Sequence, residues 1–215
     1  MLLNIIKYNK LLYFLFIVFI QICLSYFVQS TFFLKEEVFS NSYADIMTYE
    51  RIGELLENAK KYSWISLVMI PFLLFIKVTF NSFILLTGTL LFSDEFSFSK
   101  LFNVCLKTEV VFLFMLIFKI ILFTFFISVN NLSEIGFIPL SLANLFSSNN
   151  IPKWCIYPFQ LINLWELSYC FLGANLFAIQ FNIDLKRAFS LFCGSYLVGL
   201  FVLILLSIFI TISFT

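Results

Sequence analysis

The chain has 215 residues, of which 62% are hydrophobic and 12% charged, and a formal net charge of +1; ordinary soluble domains are roughly a quarter charged. Such a composition lacks the polar surface to enclose one water-soluble core, so lipid must cover the excess, and with no basic run or polar domain it offers nothing to hold nucleic acid. Histidine is absent and the five cysteines (Cys23, Cys105, Cys155, Cys170 and Cys193) form no CxxC pair, so Cys/His metal sites and a disulfide framework are not indicated, no cofactor is expected, and the cysteines read as small buried hydrophobes.

A hydrocarbon core about 30 Å thick needs roughly 20 apolar residues per helix. The first run that qualifies spans residues 11–33, behind Lys7 and Lys10. It is too long for the apolar core of a signal peptide and has no small-x-small cleavage pattern, so it reads as a retained span. The connector 34–61 carries six acids and four bases. Within it, Tyr43–Lys61 reads as a short amphipathic helix lying over the mouth of the bundle. Ile46, Ile52, Leu55 and Leu56 share its apolar face, with Glu50, Glu54 and Glu57 exposed.

Four more apolar segments follow, 62–92, 102–130, 154–180 and 189–214. The first of these exceeds the length a crossing needs and contains Pro71, which predicts a tilt, a kink or an interfacial turn. All are long unbroken runs rather than short alternating ones, which selects helices over strands. The expected fold is all-α: a polytopic transmembrane helix bundle of about five spans, forming one membrane domain over residues 1–215.

Lysine and arginine near span ends set orientation. With the N-terminus inside, Lys7, Lys10, Lys100, Lys107, Lys186 and Arg187 lie on the inner side, and Lys35, Arg51, Lys60, Lys61 and Lys153 outside. Most outside bases sit in the long acidic connector, which counts for less, so the N-terminus is expected in the cytoplasm.

Three charges lie deep in apolar segments: Lys77, Lys119 and Glu166. A charge at the bilayer centre costs from a few to over ten kcal/mol depending on method, so it has a partner or a purpose. At about 1.5 Å rise per residue the three fall at similar depth in straight helices, which predicts Glu166 within reach of Lys77 or Lys119. Asn81 is one turn from Lys77, and Gln160, Asn163 and Glu166 follow at three-residue spacing as a polar stripe facing the bundle interior. Lys77, Asn81, Lys119, Gln160, Asn163 and Glu166 form the candidate intramembrane polar cluster. Small residues mark expected close helix contacts: Gly173, Ala174 and Ala178 on the fourth segment, and Gly194 and Gly199 on the fifth.

No nucleophile–base set, HExxH, P-loop or GxGxxG is visible, which disfavours an enzyme. The paired charges Asp94–Glu95, and Asp184 ahead of Lys186 and Arg187, read as solvated turns.

Two stretches carry a resemblance. Phe96–Phe102, FSFSKLF, and Leu161–Phe192, with Asn163, Trp165, Gly173, Lys186 and Ala188 at the matching positions, resemble the Yip family of five-span integral membrane proteins. The resemblance covers the second to fifth segments and implies architecture more than activity. The short N-terminus and the long acidic connector depart from the family's eukaryotic members, so Rab GTPase binding does not carry over. The expected function is a non-enzymatic membrane scaffold or accessory subunit in a bacterial inner membrane. Its expected partners are the lipid bilayer and other membrane proteins or itself. The alternative is a transporter or permease subunit with a polar passage lined by Lys77, Lys119 and Glu166.

Overall fold

The computed structural model describes residues 10–91, 96–146 and 152–214. Its α-helices are α1 (Lys10–Val28), α2 (Glu36–Tyr43), α3 (Tyr49–Leu91), α4 (Phe98–Thr108), α5 (Val110–Phe125), the single turn α6 (Leu132–Ile135), α7 (Lys153–Leu161), α8 (Leu164–Phe181) and α9 (Leu185–Phe214). A π-helical turn, Gln29–Phe33, extends α1, and a 3-10 turn occupies Leu142–Leu145. No strand is present among the described residues. Among the described residues, four helical stretches are long and apolar enough to cross a membrane: Lys10–Phe33, Tyr49–Leu91, Phe98–Phe125 and Leu185–Ser213.

Two expectations are corrected here. The amphipathic helix expected over Tyr43–Lys61 is not a separate element: Tyr43 ends α2, and the helix restarting at Tyr49 runs without a stop into the second apolar segment, 43 residues in all. Residues 58–66 contain no glycine or proline to end it, and Pro71 lies within the helix. Of the apolar face, Ile52 and Leu56 are buried, whereas Ile46 is 74% exposed in the turn ahead of α3. Second, the segment 154–180 is not one helix. It breaks at Ile162–Asn163 into α7 and α8.

The chain divides into two compact units. One comprises residues up to Leu74 together with Leu113–Phe137. Its core gathers Phe39, Ile52 and Leu56, with Phe33, Tyr43, Leu55, Ala59 and Leu132 packed around them. Glu36 and Glu37 occupy the first turn of α2, where the helix dipole favours negative charge. Asn131 and Glu134 close a capping box on α6, each satisfying the other's backbone N–H. The Leu132 N–H donates to Ser42 Oγ at 2.9 Å, tying α6 to α2.

The other unit comprises Phe75–Phe112 and residues from Ile138 onward. Here α8 packs against both α4 and α9, and α7 against α9. Tyr169, Phe177 and Phe192 are fully buried at this core. Gly173 lets α8 approach closely, since a Cβ there would collide with the Phe192 ring. Ala174 is fully buried beside it, while Ala178 is only half-buried. Gly199 is equally tight, against the Ile84 side chain. Gly194 departs from the expectation: it is exposed, with nothing within 4 Å of a Cβ. The residue that does meet α9 closely is Gly88 of α3, against Ser195.

A buried polar cluster as candidate functional site

Lys77 and Asn81 lie one turn apart on α3 and face the interior of the second unit. Glu109 occupies the seam between α4 and α5, where its own N–H bonds the Cys105 carbonyl and its carbonyl accepts from the Phe112 N–H at 3.0 Å. That three-residue closure tightens the helix locally. Leu101, Cys105, Thr108 and Glu109 fall at i, i+4, i+7 and i+8, so Glu109 shares the buried face of α4 although it carries a charge.

The Lys77 ammonium donates to Glu109 Oε2 at 2.9 Å. Exposure is unequal: the Lys77 side chain is 39% exposed and Glu109 only 3%. The lysine therefore reaches in along its apolar stem, and the carboxylate is the fully desolvated partner. The ammonium also stands 3.4 Å from the centroid of the Phe112 ring, a cation–π contact, and 5.9 Å from that of Tyr169. Asn81 Nδ2 donates to the Tyr169 hydroxyl at 3.3 Å. Tyr169 stacks on Tyr196 of α9 with ring centroids 4.7 Å apart, and the Tyr196 hydroxyl donates to Glu166 Oε2. Glu109, Lys77, Tyr169, Tyr196 and Glu166 thus form one connected cluster drawn from every long helical segment of this unit.

The expected pairing is corrected. The ion-pair partner of Lys77 is Glu109, and the hydrogen-bond partner of Glu166 is Tyr196. Lys119 belongs to the other unit, where its ammonium donates to the Ile135 carbonyl at 2.6 Å and lies 5.4 Å from the Phe123 centroid. The stripe of Gln160, Asn163 and Glu166 is also corrected, because the helix breaks between its members. Asn163 is the N-cap of α8: its side-chain oxygen accepts from the Glu166 N–H at 2.8 Å, and its amide donates to the Gln160 carbonyl at 2.9 Å. One side chain seals the end of α7 and the start of α8. Asn163→Ala should cost about 0.5–2 kcal/mol by loss of this cap, read as a lowered unfolding midpoint in detergent; an unchanged midpoint would deny the cap any weight.

Sequence reasoning missed Glu109, Tyr169 and Tyr196. The signal for Glu109 was its place on the apolar repeat of α4. The two tyrosines carried none, since their partners come from other helices. Among the described residues no group of three or more His, Cys, Asp or Glu side chains could hold a metal ion. The Trp165 indole donates to the Pro139 carbonyl at 3.0 Å, and Ala188 is fully buried at the start of α9. Comparison with protein-family models, with curated proteins and with solved structures finds no match.

Proposed function

We propose that this chain is a non-enzymatic integral membrane protein, Yip-like in architecture, that serves as a scaffold or accessory subunit of a membrane complex. The observation that carries this reading is that each of the three deep charges is held within its own chain: Lys77 by Glu109, Lys119 by the Ile135 carbonyl, and Glu166 by Tyr196. A charge that serves a passage must meet the solute; these are occupied in fixing helix against helix. Neither the polar hollow lined by Lys35, Glu36 and Asn41 nor the apolar groove lined by Phe83, Gly88, Gly194 and Val198 includes any of the three.

In this reading α8 is the fifth crossing and the N-terminus lies in the cytoplasm. The exposed apolar side chains of α9, among them Phe201, Leu205 and Phe209, meet lipid or a neighbouring membrane protein. Purified protein in liposomes should conduct no ion or small solute down an imposed gradient above the rate of empty vesicles. A sustained flux, abolished by Lys77→Met or Glu166→Gln in protein that still folds, would replace this reading with a permease subunit.

A further inference from the structure

Two of the five cysteines share one helix seam. Cys170 lies on α8 and Cys193 on α9, at 4% and 6% exposure, and both are free thiols. The Cys193 thiol donates to the Cys170 carbonyl oxygen at 3.6 Å. That acceptor is main chain of the other cysteine, so one thiol already reaches the backbone that carries its counterpart.

The antiparallel register of the two helices holds them there. Tyr169 stacks on Tyr196 with ring centroids 4.7 Å apart, and Gly173 faces the Phe192 ring. Cys170 falls between Tyr169 and Gly173 on its helix, and Cys193 between Phe192 and Tyr196 on the other. The same two contacts therefore bracket both thiols. Gly173 and the fully buried Ala174 remove the side-chain bulk that holds helices apart. A disulfide needs Cα atoms roughly 4.4–6.8 Å from each other, and close helix approach is what brings them into that range.

We propose that Cys170 and Cys193 form a modification site, a buried dithiol that a small apolar disulfide oxidises to a bond locking α8 to α9. One cysteine attacks the small disulfide, giving a mixed disulfide and releasing one small thiol. The second cysteine attacks the mixed disulfide, forms the Cys170–Cys193 bond and releases the other small thiol. The two cysteines are oxidised and the small disulfide is reduced, with both cysteine protons passing to the released thiols. The second attack is intramolecular, so proximity favours it. Beside the pair, the exposed rings of Phe171 and Phe189 stand 5.3 Å apart, so the approach runs over apolar surface and selects an apolar oxidant. The bond forms next to the Tyr196–Glu166 contact, so the oxidation state sets how freely α8 and α9 part. This inference does not depend on the accessory-subunit role.

The test treats the full chain in lipid nanodiscs with dipyridyl disulfide, then blocks remaining thiols with N-ethylmaleimide. After denaturation, trypsin cuts at Lys186 and Arg187, which lie between the two cysteines. Mass spectrometry of the unreduced digest should find the peptides of Cys170 and Cys193 joined as the main linked pair. The pair should separate on reduction and be missing from Cys193→Ala. The oxidised protein should unfold in detergent at a higher midpoint than the reduced one, because the bond restricts the unfolded chain. Cys193→Ala should show no such rise; if it fails to fold, the linked peptides and the midpoint of the wild type decide. Recovery of both cysteines as maleimide or pyridyl adducts would overturn the proposal. So would preferential linkage of either one to Cys23, Cys105 or Cys155, or a lowered midpoint on oxidation, which would mean that the seam distorts to accept the bond.

Discussion

Lys77→Met should cost about 3–5 kcal/mol of stability in detergent, the scale seen when a buried ion pair loses one partner. The loss comes mainly from what is left behind. Glu109 is 3% exposed and one of its oxygens already lacks a partner, so removing the ammonium strands a desolvated carboxyl. The cation–π contact with Phe112 adds its own smaller share, about 0.5–2 kcal/mol. Glu109→Gln should cost less, because the lysine it abandons is already 39% exposed and can turn its head outward on a flexible stem. Lys77→Met combined with Glu109→Met should recover most of the loss, since a buried pair replaced by apolar residues of similar volume is often neutral. Equilibrium unfolding of the four proteins in one detergent measures these differences. Equal stability of Lys77→Met and the wild type would mean that the pair does not form.

Gly173→Ala should destabilise by about 1–3 kcal/mol, the range for overpacking a filled core. The added methyl would meet the Phe192 ring, and that ring is fully buried, so it has nowhere to go. Gly194→Ala is the control. Nothing lies within 4 Å of the new Cβ, and alanine is better than glycine in a helix by roughly 0.5–1 kcal/mol, so this variant should hold or gain stability. The opposite signs at two glycines of the same unit separate close packing from backbone propensity. If both substitutions stabilised the protein, the tight contact of α8 with α9 would be refuted.

Apolar length made most of the architecture readable: the runs 11–33, 62–92, 102–130 and 189–214 each correspond to a helical stretch able to cross a membrane. Length alone misled at residue 162. The pattern Asn163-Leu-Trp-Glu166 is a helix-start signal, a capping residue followed three positions later by an acid, but the apolar flanks on both sides made it look like mid-helix. Azimuth was not legible for the charges. Sequence placed Lys77 and Glu166 at comparable heights, yet which neighbour each turns toward depends on how the helices rotate against one another. Glu109 was hidden for a different reason. It lies two residues from Lys107, near the start of the segment 102–130, and only its phase on the α4 repeat marks it as interior. The hydroxyls of Tyr169 and Tyr196 could not be foreseen, because their partners lie on other helices.

The break between α7 and α8 is held by main chain as well as by the Asn163 side chain. Ser141 and Asn163 form an isolated antiparallel bridge, with the Leu142 N–H bonded to the Ile162 carbonyl at 2.8 Å and the Leu164 N–H to the Leu140 carbonyl at 3.1 Å. Backbone bonds do not read side-chain identity, so the segment facing the break is free to drift over evolutionary time while Glu166 keeps its station. Leu140 is where that freedom narrows: its φ of 59° belongs to a region that glycine and asparagine enter more easily, so drift at this position should run toward those two residues. Related chains would then differ widely along this segment and still present the same carboxyl at the same height.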